Sequence, residues 1–323
     1  MNMLEESDSS RPKVGISACL LGQRVRYDGG HKRDFFLTEI FGRFVAWVPI
    51  CPEVEVGMGV PRETVRLVGT ADRAKRIAEK SGKDWTVAMR RFTALRIREL
   101  APLKLSGYVF KKNSPSCGID KVRVYSSSGM AARNGRGLFA AAVMREFPLM
   151  PVEEEGRLQD AALRENYIER VFAYARWQES AAGAKSLRSL VQFHTAHKFL
   201  LLAHSERHYR QLGRLVAEGK KQSPRNTYEQ YGAAFMQALA IRATVKKHAN
   251  VLEHMTGYFS QQLSSSERGE LVELIRNYRE QLVPLIAPIT LIRHYVTKFA
   301  IDYLDQQVYL RPSPKELMLR HHV

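Results

Sequence analysis

The sequence predicts an α/β domain built on a mostly parallel sheet, followed by an all-α domain. Two observations carry that reading. Short β-rich runs punctuated by Gly and Pro alternate with helical stretches up to about residue 150, and long stretches of helical periodicity replace them from about Leu158 onward. A chain of 323 residues also exceeds the usual size of one domain, so two are expected. The joint falls near 151–156, giving a first domain over 1–156 and a second over 157–323.

Residues 14–19 (VGISAC) read as the first strand, followed by a Gly-containing turn and a helix over 35–44. A second strand over 44–51 (FVAWVPIC) leads into the Pro- and Gly-rich loop CPEVEVGMGVPRE, and a long basic helix begins near Ala71 with a break at Gly82. A third strand, 107–110 (GYVF), enters the loop KKNSPSCG. Residues 122–125 form a fourth, and the Gly-rich segment 126–137 opens a helix at Leu138. This strand, helix, strand spacing suggests βαβ units. In the second domain the helices fall over 158–177, 187–218, 227–258, 268–283 and 291–307, with turn or N-cap signals in GKKQSPRN and at Ser264 to Ser266.

Composition narrows the function classes. At 45% hydrophobic and 26% charged residues the chain is ordinary for a soluble protein with a buried core. No apolar run approaches the roughly 20 residues of a spanning helix, and the start MNMLEESDSSRPK is acidic where a secretory signal is basic and then apolar. Both features argue against membrane insertion and secretion. Three cysteines cannot build a disulfide framework and point to thiols in the reducing cytoplasm. The net charge of +17 favours a polyanionic partner, with nucleic acid ahead of membrane. Up to residue 150 there are 26 Lys and Arg against 15 Asp and Glu, and beyond it 24 against 18, so a partner can span both domains. No obligate protein partner is evident.

All three cysteines occupy the same kind of position. Cys19 ends the first expected strand, Cys51 ends the second, and Cys117 lies in the loop leaving the third. Loops beyond the carboxyl ends of parallel strands converge on one crevice, where such folds place ligands. Four readings of three thiols are open: inert core cysteines, a nucleophile that needs a His partner, a zinc site completed by His31 or left open, and an iron-sulfur cluster with one iron free of protein ligand. Spacing alone does not choose between zinc and iron.

Three segments in order, VGISACLLGQRVRYDGGHK, VPICPEVEVGMGVPRE and FKKNSPSCGI, resemble the thiouracil desulfidase (TudS) family over roughly residues 12–150. The second half, with LVQFHTAHKFLLLAHS, KHANVLEHMTGYF, PLIAPITLIRHY and YLDQQVYLRPSP, resembles the helical partner domain found fused to it. The fused arrangement is similar to that of a desulfidase acting on 4-thiouridine in transfer RNA. The resemblance implies a 4Fe-4S cluster bound by Cys19, Cys51 and Cys117, conversion of the thiocarbonyl to uridine and hydrosulfide, and no net electron transfer.

Glu53, two residues after Cys51, is the expected general base. Ser114 is preferred as the catalytic serine because the family resemblance suggests one in its loop, with Ser116 read as a turn residue. Weaker candidates are Lys111 and Lys112, with solvated lysines as the alternative, Arg62, with a surface ion pair as the alternative, and the polar turn of Tyr27, Asp28 and His31 as pocket lining. Nine of ten histidines lie in the second half. The pairs His194/His197 and His204/His208 have one-face helical spacing, yet no HExxH or carboxylate set accompanies them, so metal binding there is disfavoured. Substrate docking is preferred, with His197, Lys198, Arg207, Lys246, Lys247 and Arg293 meeting phosphates and Tyr209 and Tyr258 packing or stacking. Two alternatives stand beside the transfer RNA desulfidase: action on free thiouracil or a thiolated nucleotide, and a non-catalytic RNA-binding metalloprotein.

Overall fold

The computed structural model describes residues 11–126, 128–183 and 185–321. The acidic start, 1–10, and Ser127 of the Gly-rich segment lie outside the described residues. The chain divides into two compact units between Asp160 and Ala161. The first is α/β and the second helical, as the periodicities predict.

Among the described residues eight strands belong to the first unit: β1 (Lys13–Ser17), β2 (Ala46–Ile50), β3 (Val65–Val68), β4 (Lys75–Ala78), β5 (Gly107–Phe110), β6 (Val122–Tyr125), β7 (Ala131–Gly135) and β8 (Val152–Glu154). Three helices accompany them: α1 (Pro52–Glu55), α2 (Thr86–Leu100) and α3 (Leu138–Glu146). One sheet has the order β2-β1-β5-β8 and every pairing in it is parallel, with Val14 opposite Trp47 and Gly107, and Tyr108 opposite Val152. Every residue of β5 is buried, as an internal strand covered on both faces requires. Gly15 on β1 permits this packing, because a Cβ there would sit 2.2 Å from the Tyr108 ring. Tyr108 in turn stacks on Phe110 and meets Phe139 of α3 edge-on.

The second sheet, β4-β3-β6-β7, is mixed: β3 and β6 run parallel, and the outer pairs are antiparallel. It corrects two sequence expectations. The basic stretch after Ala71 is strand β4 and a turn, and the helix starts only at Thr86. Pairing with β3 accounts for this, since Arg66↔Ile77 and Leu67↔Arg76 lock the segment, and the Glu63 carboxylate accepts the Lys80 and Ser81 N–H groups at the turn. Likewise the segment 126–137 contains β7, held by β6. The helix expected over 35–44 is one π-turn, Phe36–Ile40, and one 3-10 turn, Phe41–Arg43.

The second unit holds α4 (Ala161–Ala182), α5 (Leu187–Ala196), α6 (Lys198–His204), α7 (Glu206–Ala217), α8 (Pro224–Ala240), α9 (Val245–Thr256), α10 (Ser265–Arg279), α11 (Ile286–Lys298) and α12 (Asp302–Asp305). The single helix expected over 187–218 is three, and that over 227–258 is two. Two of the three breaks coincide with side-chain N-caps: Ser205 Oγ accepts from the His208 N–H and Thr244 Oγ1 from the Lys247 N–H. Ser264 and Glu267 form the capping box of α10. No helix among the described residues is long and apolar enough to cross a membrane.

Inside this unit lies a buried ionic network. His204 Nε2 is 2.5 Å from Glu169 Oε1, Arg320 reaches Glu169 and the Tyr309 carbonyl, and His248 Nδ1 meets the Tyr309 hydroxyl. Burial, reinforced by Arg176 for His197 and by Arg320 for His248, holds both imidazoles down at about 3. Each therefore contributes stability that is complete above the unfolded value of about 6.5 and is lost as pH falls toward about 3. Glu165 acts in the opposite direction. Burial raises it to about 7, so its contribution is complete below about 4.3 and disappears as pH climbs through about 7. Between about pH 4.5 and 6.5 these two histidines, joined by His194, which burial also lowers, outnumber Glu165 and Glu154, the carboxyls that burial raises, so unfolding free energy should rise with pH. Urea titrations followed by circular dichroism measure this slope. His248→Gln should lower it by about 1.4 kcal/mol per pH unit, and an unchanged slope in that variant would contradict the assignment.

Candidate functional site

The parallel register places Ser17, Ile50 and Phe110 at the carboxyl ends of the neighbouring strands β1, β2 and β5. Cys19 follows on the 3-10 turn Ala18–Leu21, Cys51 is the N-cap of α1, and Cys117 sits in the loop between β5 and β6. All three are free thiols lining one chamber of about 370 Å³. Cys19 and Cys117 are buried and Cys51 is half-buried. Burial, and the neighbouring Cys51, raise the Cys19 thiol to about 11, opposed by Lys111 and Arg26. Burial also raises Cys51 and Cys117, so a metal taken up here must displace protons. Among the described residues no three or more His, Cys, Asp or Glu side chains draw close enough to hold a single metal ion, so the thiols ring the chamber without meeting at a point.

The loop carrying Cys117 is fixed by its own polar groups. Asn113 adopts a left-handed φ of 58°, and Ser114 Oγ accepts the Ser116 and Cys117 N–H groups at 3.2 and 3.1 Å. From behind, the first turn of α3 donates to the loop, Leu138 N–H to the Pro115 carbonyl and Phe139 N–H to that of Ser116. Gly137 makes this approach possible, since a Cβ there would lie 2.3 Å from the Ser116 carbonyl carbon.

Glu53 projects from α1 into the same chamber. Its Oε2 accepts from Arg62 Nε at 3.0 Å, and its Oε1 from Arg76 Nη2 at 2.7 Å and from the Ser116 hydroxyl at 2.9 Å. Arg76 also donates to Ser116 Oγ. Burial works to raise the Glu53 carboxyl, but the guanidinium groups of Arg76 and Arg62 overcome it and hold the group at about 2. Glu53 is thus ionised at neutral pH with the Ser116 proton directed at it. The serine in contact with Glu53 is Ser116, whereas Ser114 lines the chamber and caps loop amides.

The remaining sequence candidates separate. Lys111 pairs with Glu155 and lines the chamber, as do Lys112, Arg62 and Tyr27. His31 is exposed, accepts the Arg33 N–H through Nδ1 and is absent from the lining, as is Asp28. In the helical unit His197 is buried, its Nδ1 on the Phe193 carbonyl, so it does not face phosphates. Lys247 is tied to the His204 carbonyl, while Arg207 and Lys246 are exposed and Lys198 lies over the Tyr303 ring. His204 and His208 are turned to Glu169 and Ser205. The residue the sequence did not yield is Arg76, which is fully buried.

A family model for 2-thiouracil desulfurase matches residues 14–155, and one described as a protein of unknown function, DUF1722, matches residues 198–314. The chain is 34% identical over 153 residues to the uncharacterized protein YbgA of Escherichia coli (strain K12), covering 47% of this chain and 90% of that one. It is 29% identical over 131 residues to the uncharacterized protein YbbK of Bacillus subtilis (strain 168), covering 39% of this chain and 85% of that one. A solved structure of the 4Fe-4S-dependent thiouracil desulfidase TudS aligns at 30% identity with a TM-score of 0.38, over 48% of this chain and 97% of that one.

Proposed function

For a chain whose residues 14–155 match the 2-thiouracil desulfurase family and whose residues 198–314 match DUF1722, we propose removal of sulfur from 4-thiouridine in transfer RNA, giving uridine and hydrosulfide. The observation that carries it is the meeting, in one chamber, of three thiols from adjacent strand ends with a Glu53 carboxylate that receives the Ser116 hydroxyl. The donor set fits a 4Fe-4S cluster held by Cys19, Cys51 and Cys117, because three sulfurs ring the space and His31 stays outside the lining. Such a cluster, when bound, supplies a Lewis-acidic iron with a free position for a soft thiocarbonyl sulfur.

The chain's own groups then handle the proton and the charge. Replacing the C4 thiocarbonyl by a carbonyl adds one water oxygen at C4 and expels sulfur as hydrosulfide, so a proton must leave the attacking water. Glu53 receives it, directly or through Ser116. The two guanidinium groups depress Glu53 basicity, so it accepts the proton only as the C–O bond forms and that proton becomes acidic. Arg62 and Arg76 hold the carboxylate in position, and Lys111 adds positive charge beside Cys19. Tyr27, Lys112 and Asn113 line the chamber beside them. The net charge of +17 supports an RNA substrate over a free base.

Anaerobically purified protein should carry about four irons per chain and, incubated with bulk transfer RNA, remove the near-ultraviolet absorbance of thiolated uridine. Cys51→Ala should lose both iron and activity. Colourless protein with stoichiometric zinc would overturn the cluster, and turnover of free thiouracil with RNA left untouched would replace the substrate.

A further inference from the structure

We propose that the outer face of the second sheet, β4-β3-β6-β7, binds the phosphate backbone of RNA through Arg66, Arg123 and Arg133, with Tyr125 as a stacking surface. The inference rests on the RNA reading given above and names a surface for it on the first unit. One face of this sheet is committed to the core, where Leu67, Val122 and Val124 pack with Ala74 and Leu138. Side chains alternate along strands, so Arg66, Arg123 and Tyr125 stand on the opposite face. Arg133 joins them, being directly opposite Arg123 in the β6–β7 register. Arg66 lies one residue before the Leu67↔Val124 pair of the parallel β3–β6 ladder, next to Arg123. The result is a row of three arginines across three adjacent strands, roughly 10 Å wide at the usual strand spacing.

Like charges placed directly opposite each other destabilise a sheet, and here no ion pair among the described residues offsets them. Among the described residues none of the three guanidinium groups has an ion-pair partner, whereas the half-buried Arg96 of α2 and the exposed Arg157 after β8 do. Arg66 lies over the Tyr125 ring at 5.0 Å, and its buried Nε makes no hydrogen bond. Arg123 and Arg133 are exposed. A polyanion relieves this repulsion. Guanidinium groups fit phosphate oxygens bidentately, and an aromatic ring on a four-stranded sheet is an established way to stack an unpaired base. RNA is favoured over an anionic membrane because of that ring.

The test measures binding of an unmodified transfer RNA transcript to the full chain, which requires neither sulfur nor turnover. Charge reversal of Arg123 and Arg133 (R123E/R133E) should weaken affinity at least about tenfold and reduce the log–log salt slope by about one per arginine. The charge-matched control R91E/R98E, on exposed residues of α2, should stay within about threefold of the parent. Equal losses in both variants, or none in the first, would overturn the proposal. So would loss of binding to phosphatidylserine vesicles in R123E/R133E with RNA binding intact, which would make the face a membrane surface. Should melting curves show R123E/R133E unfolded, the neutral R123Q/R133Q carries the same comparison. Failure of the desulfidase reading is separately visible, as thiouridine left intact by a protein that still binds RNA through this face.

Discussion

Glu53→Gln should retain the full iron content and lose about 10² to 10⁴-fold in turnover, the range of general-base assistance. The substitution preserves size and removes one thing, an ionised oxygen acceptor. Four hydrogen bonds from Arg62, Arg76 and Ser116 converge on the two carboxylate oxygens. An amide can accept on one side only, and its NH₂ must face a guanidinium or the Ser116 hydroxyl. The variant therefore lacks a proton acceptor and misdirects Ser116 together. Iron content and the brown chromophore, measured beside single-turnover desulfuration, separate this from loss of the cluster. Full activity in the variant would remove Glu53 from the mechanism. Ser116→Ala should show a smaller defect in the same assay, since it deletes the donor and leaves the carboxylate.

Arg76→Met should destabilise the first unit by about 3 to 5 kcal/mol, the cost of removing one partner from a buried ion pair. Arg76 is fully buried on β4, and its guanidinium holds Glu53 and Ser116. Without it the buried carboxylate keeps a single cation, Arg62. Replacing an exposed arginine such as Arg98 should change stability by no more than about 0.5 kcal/mol, so the contrast in urea midpoints is the measurement. Arg76→Lys should fall between them, because an ammonium keeps the charge without the planar fork that engages both partners. Equal midpoints for Arg76→Met and Arg98→Met would show that the pair contributes nothing net.

The parallel sheet was legible because β1, β2 and β5 are compact apolar runs that end abruptly in turn-rich loops, and the three cysteines mark those ends. Glu53 was legible for the same reason, lying two residues past one of them. Arg76 was not. It stands in a lysine- and arginine-rich stretch that reads as an exposed helix, and only pairing of β4 with β3 turns it inward. The relation of Ser116 to Glu53 spans 63 residues and has no local signature, so the choice between the two loop serines could not be made from spacing. In the helical unit the apolar periodicity was clear while the breaks at Ser205 and Thr244 were missed, although both residues are N-cap types that sequence can flag.

Gly137 sits at an ordinary φ of −63°, so nothing about its backbone demands glycine. The demand is spatial, because the start of α3 presses against the peptide joining Ser116 to Cys117. That seals the rear of the cysteine loop and denies it any recoil. The Cys117 side of the chamber is therefore a wall that does not yield. On the desulfidase reading proposed above, discrimination between thiolated and ordinary uracil is left to sulfur itself, since a rigid cavity with room for the larger sulfur also admits the smaller oxygen.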